Sequence, residues 1–186
     1  MISVFVAGSR KLGRLNDQVR ERLENIIAGS YRVFVGDANG ADKAIQSFLS
    51  EQKYEHVVVF CSGPKCRNNL GTWPMHNVDV PSGITGRAFY TYKDVEMAEG
   101  ADYGLMLWDG KSSGTIKNVI ELLKRHKKSL VYFSPKKTFI SVTSLNELET
   151  LLANCSPDSL DVIKKKVGLK SQLNEIAQSS QSALNF

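Results

Sequence analysis

The sequence predicts an α/β fold in which helices cover both faces of a parallel sheet. Apolar segments of strand length alternate with segments whose apolar residues recur at helical spacing, a pattern typical of right-handed βαβ units. Three of the strands end in loops rich in glycine and small polar residues, which in a parallel sheet lie at the carboxyl edge, where ligands bind. The predicted strands span residues 2–6, 31–35, 56–60, 103–107 and 129–133.

The loop at residues 109–115 is the most informative of the three. It reads Asp-Gly-Lys-Ser-Ser-Gly-Thr and leads into a segment with apolar residues at helical spacing. The first N–H groups of a helix lack a partner within it and carry partial positive charge. Hydroxyls of Ser113 and Thr115 can add hydrogen bonds, and Gly114 allows close approach, so the loop is typical of a phosphate site. The alternative is an ordinary turn capped by Ser113.

Two earlier loops have the same layout. Residues 7–14 follow the first predicted strand, residues 36–42 follow the second, and an amphipathic helix comes after each. Neither a dinucleotide fingerprint nor a Walker A motif is met, because the segment from Gly8 to Gly13 lacks the middle glycine and Gly13 precedes arginine and leucine. We therefore expect the three loops to converge on one crevice without matching either motif.

The three loops together resemble the SLOG superfamily, a Rossmann-like group that includes the LOG phosphoribohydrolases, the DNA-processing protein DprA and YspA-type domains linked to nucleotide signalling. The last loop is also similar to that of nucleoside 2-deoxyribosyltransferases. The segments that carry the resemblance are Val6-Ala7-Gly8-Ser9-Arg10, Gly36-Asp37-Ala38-Asn39-Gly40-Ala41-Asp42 and Asp109-Gly110-Lys111-Ser112-Ser113-Gly114-Thr115. The resemblance covers residues 1–135 and implies a nucleotide or a nucleotide-derived sugar phosphate as ligand. The expected ligand-binding residues are Gly8, Ser9, Arg10, Gly36, Asp37, Gly40, Asp42, Arg87, Lys93, Asp109, Gly110, Ser113, Gly114, Thr115 and Asn118.

The chain departs from this family at positions that matter for catalysis. The LOG enzymes and the deoxyribosyltransferases carry a glutamate where this chain has Asn118, and an amide cannot act as a nucleophile or a base. The Arg-Lys-x-x-Met segment of the LOG enzymes resembles residues 93–97, with Lys93 in place of the arginine. The candidate catalytic carboxylates are Asp94, Glu96 and Asp109, although the first two also suit the solvated face of a helix.

Three functions follow from these residues. We expect a sensor or binding module for a nucleotide, because the glutamate is missing at position 118. The alternative is an N-glycosidase, either a phosphoribohydrolase acting on nucleoside monophosphates or a deoxyribosyltransferase-like enzyme. The second alternative is a DprA-like DNA-binding protein, which a net charge of only +5 disfavours. The basic run at residues 124–128 is typical of a helix C-terminus, where cations complement the dipole.

Composition limits the partners and the compartment. The chain has three cysteines without histidines at ligand spacing, so we expect reduced thiols and neither a metal nor a cofactor. It shows no signal peptide and no apolar run approaching the ~20 residues of a membrane span, so we expect a cytoplasmic protein without a membrane partner. Nucleic acid is a disfavoured partner, and a homo-oligomer is left open.

Two regions lie outside the repeating pattern. Residues 62–86 form a long segment interrupted by glycine and proline, in which Arg67, Asn68, Trp73 and His76 suit contacts to a base, or else Trp73 packs against the side of the domain.

We divide the chain into a Rossmann-like domain at residues 1–136 and a small extension at residues 137–186. For the extension, the sequence predicts an edge strand at 138–142, helices starting at Ser144 and Ser156, and from Ser171 onward, with sparse Leu173, Ile176 and Leu184, a weak helix or a frayed tail.

Overall fold

The computed structural model describes residues 1–182, the last six of them as backbone alone. Its sheet comprises β1 (Ser3–Gly8), β2 (Arg32–Gly36), β3 (Val57–Ser62), β4 (Met75–Val78), β5 (Tyr103–Trp108), β6 (Ser129–Phe133) and β7 (Thr138–Val142). The helices are α1 (Asp17–Ala28), α2 (Ala41–Glu51), α3 (Gly86–Thr91), α4 (Lys93–Gly100), α5 (Ser113–Lys124), α6 (Leu145–Leu152), α7 (Pro157–Val167) and α8 (Leu169–Ser182).

The strand order β4-β3-β2-β1-β5-β6-β7 confirms the predicted Rossmann-like α/β fold. The chain builds outward from β1 to β4 and then returns to place β5 against the free side of β1. Every pairing is parallel except that of β6 with β7. Successive crossovers therefore run in opposite directions from β1, and the loops after β1 and β5 open a crevice between them.

Alternating side chains along each strand divide the apolar residues between two cores. In β1, Val4 and Val6 face α1 and α2, whereas Phe5 and Ala7 face the layer that contains α4 and α5. This alternation follows from the two-residue period of a strand, and it explains why the central strands are apolar throughout. The two cores fix the carboxyl ends of β1 and β5 from both faces of the sheet.

The extension after residue 136 adds a strand to the sheet and packs on the core that contains α4 and α5. As predicted, β7 lies at the edge, and the hydroxyls of Ser144 and Ser156 accept N–H groups at the starts of α6 and α7. Leu148 and Ile163 are fully buried in the core that includes α5. Leu173 packs against the same core, and Leu184 lies outside the described residues.

The segment at residues 62–86 differs from the expectation of a continuous loop, since it contains β4. That strand escapes sequence analysis because three of its four residues are exposed, so it lacks an apolar face. Trp73 is buried and donates a 2.8 Å hydrogen bond to the carbonyl oxygen of Tyr54, which confirms the structural alternative for this residue. Within residues 1–182, no helix is long and apolar enough to cross a bilayer.

The expectation that all cysteines are reduced thiols requires correction. Cys61 is the last residue but one of β3, and Cys66 is joined to it by a disulfide with the two Cα atoms 5.1 Å apart. The chain turns back at Gly63, whose φ of +76° reverses its direction directly after the strand. The number of cysteines could not show that the chain folds back to bring Cys66 beside Cys61. Cys155 is a free thiol.

Candidate functional site

A crevice of about 640 Å³ opens at the carboxyl edge of the sheet between β1 and β5. This volume lies within the range of cavities that hold small molecules and cofactors. Its walls come from the loops after β1, β2 and β5, from Arg67 in the segment after β3, and from α2, α3, α4, α5 and α7. Of the residues expected at the site, those that line the crevice are Gly8, Arg10, Asp42, Arg87, Lys93, Asp94, Asp109, Ser113, Gly114, Thr115 and Asn118.

A hydroxyl network ties the first loop to the last. Ser9 is fully buried, and its Oγ donates to Asp109 Oδ1 over 3.0 Å and lies 3.2 Å from Thr115 Oγ1. The backbone N–H of Asp109 in turn donates to Ser9 Oγ at 3.1 Å. Ser9 therefore supports the crevice from beneath, because its hydroxyl already bonds within the two loops.

Asp109 shapes the loop that follows β5. Its Oδ1 accepts the backbone N–H groups of Lys111 at 3.0 Å and Ser112 at 2.7 Å. Gly110 lies in this turn and has a φ of +76°, but it does not line the crevice. The geometry gives the Asp109 carboxylate a positioning role for the start of α5.

The N-terminus of α5 opens on the crevice. The helix begins at Ser113, so its N-cap is Ser112 and not Ser113 as the alternative expected, and in the described structure the Ser112 side chain makes no capping bond. The Arg87 guanidinium lies 3.4 Å from Ser113 Oγ, across the first turn. Further along the helix, Asn118 is only 6% exposed and lines the crevice, and its amide has no hydrogen-bond partner among the described residues.

The loop after β2 reaches the crevice through a close backbone contact. Gly40 is the N-cap of α2 with a φ of +87°, and a Cβ at this position would collide with the carbonyl oxygen of Arg10. The glycine therefore allows the loops after β1 and β2 to touch. The Arg10 side chain is exposed and lines the crevice.

Buried charges lie along the side of the crevice formed by α4. Lys93 is 3% exposed and pairs with Asp94 over 2.8 Å. Burial opposes ionisation of Lys93, but the neighbouring carboxylates of Asp94 and Asp42 outweigh it and raise its pKa. Gly36 makes room for this group, because a Cβ there would collide with Asp42 and approach Lys93 Nζ. Lys93 is therefore already neutralised by protein carboxylates.

Asp37 and Glu96 take positions that sequence analysis did not foresee. Asp37 is buried beside the crevice and forms an ion pair with Arg67 at 2.6 Å. Glu96 contacts His76 of β4, with Oε2 of Glu96 2.7 Å from Nε2 of His76. Glu96 does not line the crevice. Of the three candidate catalytic carboxylates, Asp94 and Asp109 therefore reach the crevice and Glu96 does not.

Several lining residues were missed. Lys11, Tyr90, Lys111 and Lys166 all line the crevice. Lys166 belongs to α7, and its position in a run of three lysines indicated only an exposed helix face. The sequence carries no signal that α7 packs beside α5 and directs this lysine to the crevice, because that placement depends on contacts between distant elements.

The sequence matches no protein-family model and none of the curated proteins with which it was compared. The resemblance to the SLOG superfamily thus stays a prediction based on the three loops. Within the described residues, no group of three or more histidine, cysteine or acidic side chains is arranged to hold a metal ion.

Proposed function

We propose that the protein binds a nucleotide or a nucleotide-derived sugar phosphate in this crevice, as a sensor or binding module. The observation that carries the proposal is the pairing of an uncapped α5 N-terminus with Asn118 of the same helix, whose amide lines the crevice and makes no hydrogen bond among the described residues. Free N–H groups at a helix start attract phosphate. The Asn118 amide can both donate and accept hydrogen bonds, and ribose or base offers both donors and acceptors.

The charge of the lining supports an anionic ligand. Among the described residues, five lining cations form no ion pair with a carboxylate, and they belong to four different parts of the chain. They are Arg10, Lys11, Arg87, Lys111 and Lys166. Arginine can grip a phosphate through two parallel hydrogen bonds, and the lysines add attraction as point charges.

An N-glycosidase is the second candidate, and the observation that favours it is the carboxylate of Asp94 in the crevice wall. That carboxylate is paired with Lys93, and the residue at position 118 is an amide. The DNA-binding alternative receives less support, because Lys124 and Arg125 of the basic run pair with Glu175 and Glu121. We therefore favour binding without chemistry.

The proposal is tested by titrating the full chain with AMP, GMP, CMP and UMP in a calorimeter. We expect binding of at least one nucleotide, and an affinity about tenfold lower, or about 1.4 kcal/mol, in Gly114→Val. The branched side chain covers the first amides of α5, while its nearest neighbour is the flexible end of Arg87, 3.1 Å from a Cβ. Gly13→Val is the matched control, because the described structure leaves open space at Gly13 and the residue lies outside the crevice wall.

Three outcomes separate the alternatives. Failure of the native chain to bind any of the four nucleotides contradicts the proposal, and an equal loss in both valine variants contradicts the assignment to α5. Chromatography of the nucleotide after each titration distinguishes binding from hydrolysis. Intact nucleotide supports a binding module, whereas free base supports the glycosidase.

A further inference from the structure

The crevice contains an aromatic ring that the phosphate site does not use. Tyr90 is 41% exposed, lies on α3 and lines the crevice. The ring of the neighbouring Phe89 is half-buried and lies against Gly63, where an added Cβ would be 2.8 Å away. The Phe89 and Tyr90 rings also meet edge to face, with their centroids 5.4 Å apart, while 41% of Tyr90 stays in contact with water.

A fixed arginine covers one side of this ring. The Arg67 guanidinium carbon lies 4.3 Å from the centroid of Tyr90. Arg67 donates from Nη2 to Asp37 Oδ1 at 2.6 Å, and from both Nε and its backbone N–H to Asp37 Oδ2 at 3.0 Å. Burial of Asp37 works against its ionisation, but the hydrogen bonds from Arg67 and the charge of Lys93 outweigh it and lower the pKa of Asp37. Arg67 is therefore held in place by an ionised carboxylate.

We propose that Tyr90 and Arg67 form a base-stacking platform, so that the ligand of the crevice carries a planar nucleobase and not a sugar phosphate alone. Every base has a π-face that stacks on aromatic rings and on guanidinium planes. Stacking on the exposed part of Tyr90 or Arg67 would remove apolar ring surface from water. The inference rests on the proposed function and narrows its ligand class.

The spacing along α3 links this platform to the phosphate site. Arg87 and Tyr90 are three residues apart, and side chains at this separation are neighbours on a helix, with Cβ atoms about 5–6 Å apart. Arg87 reaches Ser113 at the start of α5, while Tyr90 contacts Arg67. A phosphate contact and an aromatic ring therefore project from neighbouring positions of one short helix. A nucleoside monophosphate carries both of the groups that these two positions suit.

The test compares ribose 5-phosphate with the four nucleoside monophosphates by calorimetry on the full chain. We expect the preferred nucleotide to bind about tenfold or more tightly than ribose 5-phosphate, since stacking adds to the phosphate contacts. Tyr90→Ala should remove this preference and leave the affinity for ribose 5-phosphate in place, while Tyr90→Phe should keep the preference. Tyr103→Ala is a matched control, because Tyr103 is similarly exposed but lies at the start of β5, at the opposite end of the sheet.

The outcomes distinguish failure of the platform from failure of the site. Equal affinities of the native chain for ribose 5-phosphate and all four nucleotides overturn the platform and leave the phosphate site standing. A nucleotide preference that persists in Tyr90→Ala also overturns it. Failure of all five compounds to bind overturns the proposed function, and the platform falls with it.

Discussion

The acidic side chain of Asp42 lines the crevice, yet the residue is only 6% exposed. One carboxylate oxygen accepts the backbone N–H of Ala38 at 3.3 Å. Burial raises the pKa of Asp42 to about 6, the nearby charge of Lys93 opposes the rise, and Asp94 adds to it. The charge of Lys93 offsets only part of the effect of burial on the pKa of Asp42, because Lys93 forms its ion pair with Asp94.

This burial predicts a pH-dependent effect of Asp42→Asn. The pKa of Asp42 rises from 3.8 on folding, so its stabilising contribution is complete below about pH 4 and is lost as the pH rises through about 6. A shift of about two pH units corresponds to about 3 kcal/mol. Relative to the native chain, Asp42→Asn should gain up to that amount in the free energy of unfolding between about pH 4 and pH 8.

Urea denaturation at both pH values checks this prediction, with Asp161→Asn on the exposed face of α7 as the control. A free-energy difference between native chain and Asp42→Asn that is the same at the two pH values would contradict the placement of Asp42.

At the scale of elements, strong apolar periodicity made the regular parts predictable. The strands before the three loops and the helices after them lie where the pattern placed them, with Val19 and Leu23 of α1 buried as expected. The exposed strand β4 and the six-residue helix α3 gave no such pattern, and α3 buries none of its residues in the described structure. Their positions depend on contacts with β3, which is distant in sequence from both.

The contact between the first two loops yields a prediction at Gly40. A side chain there meets both a positive φ and the carbonyl oxygen of Arg10, so Gly40→Ala should lower the free energy of unfolding by more than backbone strain alone, about 1–3 kcal/mol. Gly83→Ala measures that strain separately, because Gly83 has a φ of +92° and open space around its Cβ position among the described residues.

Urea denaturation of both alanine variants gives the comparison. Equal losses of stability would show that the Arg10 contact does not restrict position 40. A larger loss in Gly40→Ala would support the close approach of the two loops that brings Arg10 to the crevice.

At the scale of the whole molecule, sequence predicted the crevice better than its chemistry. The order of the loops was enough to predict that Gly8, Asp42 and Gly114 would meet, since parallel strands share a carboxyl edge. It could not predict Lys166, which reaches the crevice through the packing of α7 on α5, nor Tyr90, which belongs to a short helix without buried residues. It also gave Asp109 a chemical role, whereas its carboxylate orders the loop that starts α5.

A crystal structure of the full chain grown with the nucleoside monophosphate that binds most tightly tests the central claim most directly. We predict that its phosphate lies within hydrogen-bonding distance of the backbone N–H groups of Gly114 and Thr115, with the base stacked beside Tyr90. Both groups have partners before binding: Ser9 contacts Thr115 at the start of α5, and Arg67 lies against the ring of Tyr90. A nucleotide bound outside the crevice, or one whose phosphate points away from α5, would contradict the account.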